Sequence, residues 1–295
     1  MPEMNLGPGH QMKRSCFLLL LGMFSAIVVF DGRAQSQPAN GPATDLHYAP
    51  AGNFDSAGGY LPGATGFNLA DVSSPALMPY LPDGVKALVF LGLCDGANAE
   101  FIDRVTKFLA YRAKVFGFYL MDEPDSTGRH SPPCTAENLK EESDWIHLHL
   151  AEAKTFFVLM SRGPSTAPDF TGTYTAADTH VDLFGIDPYP CRTDIDGCDF
   201  GMIKSYVDAA IRWGIPTDRI VPVYQTFGAG GWRNDGGGKY VLPNQSEMEH
   251  MLLIWNGLAP HPVFDYAYSW GSQSSDQSLM GSAVLQKVFA AHNGR

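Results

Sequence analysis

Seven times along this chain an apolar, β-rich run gives way to a loop, and in most cases the loop leads into a stretch with helical periodicity. The runs are Phe67–Val72, Lys86–Gly92, Val115–Pro124, Thr155–Met160, Val181–Pro190, Arg219–Phe227 and Phe264–Trp270. Helical stretches follow from Asn98 to Ala113, Thr135 to Lys154, Gly201 to Trp213, Ser246 to Asn256 and Ser278 to His292. Strand then helix, repeated, with no separate block of strands, dictates a parallel sheet with helices packed outside it. Strands buried on both faces read as continuous apolar runs, which is what these are. A closed barrel of this kind needs eight strands, so the pattern predicts an α/β (β/α)8 barrel whose eighth strand lies within residues 45–66. An open doubly wound sheet would carry a glycine-rich phosphate turn after its first strand, and the sequence has none.

The N-terminus stands apart. Lys13 and Arg14 precede an apolar run from Cys16 to Phe30, and Gly32 and Ala34 follow it. A basic region, a short apolar core and small residues are the pattern of a secretory signal peptide, here residues 1–34. The run is shorter than the roughly 20 residues that span a bilayer, so stable membrane insertion is not expected once it is cut, the alternative being a segment retained as an anchor. Residues 35–58, rich in Pro, Gly, Ala, Asn and Asp, read as a loose leader. Residues 59–295 are then one barrel domain, of the size such barrels usually have. Export predicts a secreted or periplasmic location.

The net charge is −11, with no cluster of lysine or arginine. That argues against nucleic acid and anionic membranes as partners. Beyond Cys16, Cys94, Cys134, Cys191 and Cys198 remain, an even number that suits disulfides in an exported chain. Four cysteines allow three pairings. Cys191–Cys198 would close a small loop, and Cys94–Cys134 would tie a strand end to the loop after Glu123. Their spacing fits no zinc site. The acidic stretch Asp194 to Asp199 lacks the regular spacing of a calcium loop. No metal and no cofactor is expected, and the chain reads as a monomer.

In a parallel α/β architecture the C-terminal strand ends converge on one crevice. Here those ends supply Asp122 and Glu123, then Asp187 and Tyr189, then Tyr224 and Gln225, then Trp270. Pro124 disfavours helix at Glu123 and so predicts an extended backbone there. Successive strand residues point to opposite sides, so Asp122 and Glu123 reach the cleft together only where the strand has ended. Carboxylates, an amide and aromatic rings in one cleft suit a sugar. Aromatic faces cover the C–H faces of the ring, and polar groups bond its hydroxyls. Cleaving a glycosidic bond takes one protonated carboxyl group and a second carboxylate across the ring. A Glu on an apolar strand beside a second acid can have its pKa raised enough to hold that proton.

In these features the sequence resembles the TIM-barrel glycoside hydrolases. Phe118-Tyr-Leu-Met-Asp-Glu-Pro124 is similar to their acid/base strand, the fourth. Asp182-Leu-Phe-Gly-Ile-Asp-Pro-Tyr-Pro190 resembles their Asp-x-Tyr-Pro strand, and Tyr268-Ser-Trp270 resembles the last-strand Trp that floors a sugar subsite. The resemblance implies a secreted glycosidase acting on a polysaccharide or glycoconjugate. Glu123 would be its general acid/base, Asp187 or Asp122 its second carboxylate, and Tyr189, Tyr224, Gln225 and Trp270 its substrate-binding residues. The sequence departs from the pattern at the seventh strand, where many such families carry a nucleophilic Glu and this chain has Tyr224-Gln225-Thr226. The adjacent Asp122-Glu123 pair is closer to the hexosaminidase type, which uses the substrate's own acetamido group, than to the spaced Asp-x-Glu of chitinases. The missing Glu keeps a second expectation open, a non-catalytic carbohydrate-binding protein on the same scaffold. Gly228 to Gly238, with Trp232 and Arg233, reads as a loop able to cover the cleft.

Overall fold

The computed structural model describes residues 41–128, 133–195, 197–234 and 236–294. Eight parallel strands close into a barrel: β1 His47–Tyr48, β2 Leu69–Val72, β3 Lys86–Phe90, β4 Val115–Tyr119, β5 Lys154–Val158, β6 Leu183–Ile186, β7 Ile220–Gln225 and β8 Asp265–Tyr268. Each pairs with the next, and β8 closes on β1 with His47 opposite Asp265 and Tyr48 opposite Tyr266. The fold is therefore the (β/α)8 barrel that the alternation predicts. All seven predicted strands are present, and the eighth, His47–Tyr48, falls inside the interval where it was expected. The Glu123 strand is the fourth.

The leader is shorter than its composition suggests. His47, Tyr48, Ala49 and Asn53 are buried, so the stretch from His47 to Asn53 packs with the barrel. The Pro- and Gly-rich composition misleads because β1 is two residues long and too short to show a period. The predicted signal peptide, residues 1–34, lies outside the described residues.

Helices α1 Ala99–Thr106, α2 Ala136–His149, α3 Ala176–Thr179, α4 Gly201–Trp213, α5 Gln245–Leu258 and α6 Ala283–His292 surround the strands. Most of them start at side-chain caps: Asn98 accepts from the Phe101 N–H and Thr135 from the Asn138 N–H, whereas α4 starts at Phe200 without one. The helix α5 opens one step earlier than the sequence suggests. Asn244 is its N-cap and Glu247 closes the capping box, so Ser246 lies inside the first turn.

Strand alternation divides the core in two. Leu69, Leu88, Phe116, Phe156, Leu183, Val223 and Tyr266 fill the barrel interior. Val72, Phe118, Phe157, Phe184, Tyr224 and Ala267 face the helices. Each fully buried Phe or Leu contributes roughly 1.5–3 kcal/mol by leaving water. Gly117 in β4 is required by proximity, because a Cβ there would lie 2.3 Å from the Lys154 carbonyl oxygen of β5. Both disulfides are formed, Cys94–Cys134 and Cys191–Cys198. The first ties the loop after β3 to the start of α2. The second ties the two strands of a short ribbon, Cys191–Arg192 with Gly197–Cys198, beyond β6. Among the described residues no helix is long and apolar enough to cross a membrane.

Candidate active-site cleft

The strand β4 ends at Tyr119, three residues before Asp122. This early end lets Asp122 and Glu123 escape strand alternation and open into the same cleft. Glu123 has a φ of 42°, in the left-handed region, and not the extended backbone that Pro124 predicts. A non-glycine residue there is uncommon and is held by its surroundings. Asp187 arrives by a simpler route. It follows β6 at the parity of Leu183, which points into the barrel, and Tyr189 continues the same row.

Three connected chambers lie across the strand ends. The central one, about 380 Å³, is bounded by Asp122, Glu123, Asp187, Tyr189, Trp232 and Tyr268. An outer one of about 310 Å³ shares Glu123, Asp187 and Tyr189 with it and reaches Ser161, Ser165 and Asn234. An inner one of about 180 Å³ shares Asp122 and Tyr268 and is closed by Tyr48, Asp71, Phe90 and Tyr266. The three predicted acids therefore meet in one place.

Their electrostatics are unusual. Glu123 is pushed up to about 7, first because the protein walls displace water around it and second by the charge of Asp122. Its side chain stays open to the cleft, so this is the environment of a narrow solvent-filled cleft and not of a dry interior. Asp187 is raised well above the usual carboxylate range by burial, then by Glu123 and Asp122. Asp122 is raised by burial, against which the Tyr119 hydroxyl donates a hydrogen bond to its Oδ1 at 2.5 Å. Crowded carboxyl groups of this kind keep a proton among them near neutrality. The Tyr189 hydroxyl and a backbone N–H support the charged form of Asp187. Glu123 has no such donor acting on it. Glu123 and Asp187 therefore share a proton between them, and both favour the neutral form more than an ordinary carboxyl group does.

Aromatic rings form the floor and one wall. Tyr268 lies parallel to Trp232, with ring centres 5.7 Å apart and planes at 11°, and also stacks on Tyr189 at 5.9 Å. Phe227 meets Tyr189, Trp232 and Tyr268 edge-on at 5.0–5.4 Å. Trp232 and Arg233, from the loop after β7, line the cleft. The loop is fastened by the Ala229 N–H to Tyr240, the Gly231 N–H to Ser274 and the Val241 N–H to Cys191, at 2.9–3.0 Å. Gly230 packs so tightly on Asp276 that a Cβ would overlap its carboxylate.

Three residues predicted to bind substrate do not line the cleft. Tyr224 is one place out of phase along β7, faces the helices and donates to Asp265. Gln225 is wholly buried, and its amide is spent on backbone. Its Oε1 accepts from the Cys191 N–H at 2.9 Å, while Nε2 donates to the carbonyls of Cys191 and Val241, both at 2.9 Å. Trp270 lies beyond the end of β8 and packs against Phe67 in the helix-side core. Its place in the cleft is taken by Tyr268. Trp270 has the parity of Tyr266 and Tyr268, so alternation alone would keep it in the inward row; it is lost because the strand ends at Tyr268 and the chain leaves the sheet there. Parity would have found Asp71, two residues after the inward-facing Leu69.

Among the described residues, His47, Asp265 and His292 bring ligand-type atoms within 4.8 Å of one another. They sit at the N-terminal strand ends, opposite the cleft, and are bonded directly to each other. Cys191 and Cys198 near Glu247 are sealed in their disulfide and cannot ligate.

No protein-family model matches the sequence, and no curated protein matches it. Solved structures do. The GH18 chitinase ChiB from the chitin utilization locus of Flavobacterium johnsoniae superposes with a TM-score of 0.51 at 11% identity, covering 86% of this chain and 94% of that one. Catalytic domain 2 of the Ostrinia furnacalis Group II chitinase gives 0.51 at 12%, covering 87% and 97%. YKL-39, solved in the presence of chitooligosaccharides, gives 0.52 at 8%, covering 86% and 100%. The likeness is one of fold: this chain has the (β/α)8 barrel on which those glycoside hydrolases and hydrolase-like proteins are built.

Proposed function

We propose that the protein is a secreted glycoside hydrolase that cleaves a glycosidic bond in a polysaccharide or glycoconjugate. The observation that carries this reading is the convergence of Asp122, Glu123 and Asp187 in one aromatic-walled cleft, with Glu123 pushed up to about 7. Glu123 donates its proton to the leaving glycosidic oxygen as the C1–O bond breaks. Asp187 is the second carboxylate and takes the developing positive charge of the ring, either by bonding to C1 or by removing a proton from the attacking water. Asp122 keeps Glu123 protonated and is held in place by Tyr119. Trp232, Tyr268 and Tyr189 cover the apolar faces of the sugar rings. The two disulfides and the apolar N-terminal run support an oxidising, extracytoplasmic setting.

The test is product release from a panel of polysaccharides and aryl glycosides, comparing the parent with Glu123→Gln. The parent should turn over at least one substrate, and the variant should lose on the order of 10²–10⁴ in rate with its fold intact. Equal turnover by both would sink the assignment of Glu123. One observation favours a second reading, a carbohydrate-binding protein without turnover: β7 ends in Gln225, with its amide committed to backbone, and offers no carboxylate. That reading predicts sugar binding equal in parent and variant, with no product from either.

A further inference from the structure

The inner chamber differs from the other two in what surrounds its acids. Asp71 enters it from β2 and Asp122 from the end of β4. Asp71 accepts the Tyr48 hydroxyl at 3.2 Å through Oδ1 and the Ala51 N–H at 3.1 Å through Oδ2. Asp122 accepts the Tyr119 hydroxyl. No Lys, Arg or His among the described residues forms an ion pair with Asp71, Asp122, Glu123 or Asp187. None acts electrostatically on Asp71 or Asp122 either. Arg233, from the loop after β7, lines the central and outer chambers. The rest of the wall of the inner chamber is mostly aromatic, with Tyr48, Phe90, Tyr119, Tyr266 and Tyr268, and its one other polar side chain is Gln273, whose Oε1 accepts the Tyr268 hydroxyl at 3.0 Å.

A ring seated here displaces water from two carboxylates. A neutral sugar leaves the ionised carboxylates without a counter-charge once that water is gone. A ring bearing an ammonium group supplies that charge, forms charge-assisted hydrogen bonds with a carboxylate, and is favoured by the faces of the surrounding rings. The chamber, of about 180 Å³, is the smallest of the three. The protein's net charge of −11 draws a polycation toward it.

We propose that the inner chamber is a subsite for an amino sugar whose amine is free and protonated, and that Asp71 is the residue that selects it. The inference rests on the glycosidase reading for its substrate but not for its binding chemistry. It has a mechanistic corollary. A free amine has no acetamido oxygen to attack C1, so the second carboxylate must come from the protein, as Asp187.

The experiment measures calorimetric binding of three β-1,4 tetramers of equal length at pH 6 and low salt: glucosamine, N-acetylglucosamine and glucose. Product release is followed in parallel for the parent, Asp71→Asn and Glu123→Gln. The glucosamine tetramer should bind the parent about tenfold or more tightly than the other two, and Asp71→Asn should erase that preference. In the parent alone, 0.5 M salt should weaken the glucosamine tetramer and leave the glucose tetramer unchanged. This arm decides the matter if the variant fails to fold. Equal or weaker binding of the glucosamine tetramer overturns the proposal, as does a salt-independent preference. Glu123-dependent cleavage of either other tetramer would then leave the glycosidase reading standing. Tight, Asp71-dependent binding of the glucosamine tetramer without cleavage would do the reverse.

Discussion

His47 Nδ1 lies 2.8 Å from Asp265 Oδ1, joining the first residue of β1 to the first residue of β8 at the seam where the barrel closes. His292, from the end of α6, bonds the other carboxylate oxygen at 2.6 Å, so one buried carboxylate gathers both ends of the domain. Burial works against the ionised form of Asp265. The charges and hydrogen bonds of the two imidazoles outweigh it and hold the carboxyl well below the usual range. A network at the N-terminal face of a barrel, opposite the cleft, serves stability and not chemistry.

Asp265→Asn should therefore destabilise the fold by about 3–5 kcal/mol, the cost of breaking a buried charged network from one side. The sign with pH follows from the depressed value. The unfolded chain binds the proton more readily, so the stabilisation is present above the ordinary Asp value near 4 and is lost on acidification below it. In thermal melts from pH 7 down to pH 2 the gap between parent and variant should stay constant above about pH 4 and narrow steadily below it. A constant gap across that range would contradict the network.

The activity should have an alkaline limb set by Glu123. Its carboxyl titrates at about 7, raised by burial first and Asp122 second, and only its protonated form can donate to the leaving oxygen. Asp122→Asn removes the like charge and lowers the Glu123 value. The limb of kcat/KM against pH should move to lower pH, with residual activity at its acid side. A limb that stays in place would assign it to another group.

Much of this could be read from the sequence, for a physical reason. Parallel barrel strands are buried on both faces, so Val115–Tyr119 and Leu183–Ile186 announce themselves as unbroken apolar runs, and their order fixes the topology. The acids stood out because Asp122, Glu123 and Asp187 interrupt those runs at their C-terminal ends. The errors come from parity and from backbone demand. Tyr224 is out of phase with the inward row, which carries Val223 and Gln225, whereas Trp270 is in phase with Tyr268 but lies past the end of its strand, where alternation no longer holds. Even Gln225 is lost to the cleft, because the backbone of Cys191 needs its amide, a requirement visible only in three dimensions. His47–Tyr48 is too short to signal anything.

That use of Gln225 gives a third prediction. Its amide satisfies the N–H and C=O of Cys191 and the C=O of Val241, and so joins the disulfide ribbon to the base of the loop after β7. Gln225→Ala leaves those buried groups unpaired, at about 1–3 kcal/mol for each orphaned group before relaxation. Denaturant unfolding should show a large loss of stability. Substrate affinity should fall as well, since Trp232 and Arg233 ride on that loop. A variant with parent stability would show that water replaces the amide without cost.

The last prediction concerns a carboxyl group far from any proposed chemistry. Glu142 on α2 is fully buried against the loop after β3, where its Oε1 accepts the Asp95 N–H at 3.1 Å. Its Oε2 has no hydrogen-bond partner among the described residues. Burial pushes the group up to about 9, against the hydrogen bonds from the Asp95 and Gly96 N–H groups. Folding thus takes up a proton that the unfolded chain has released above its ordinary value, so the native state loses ground as the pH rises toward 9. Glu142→Gln cannot titrate. Near pH 4 it should match the parent or fall slightly below it, since its amide nitrogen gains no acceptor. Between pH 5 and 9 its stability relative to the parent should climb, by at most about 1.4 kcal/mol per pH unit. Denaturant midpoints measured at half-unit steps across that range would expose the slope, and parallel curves for the two proteins would show that Glu142 keeps its charge inside the fold.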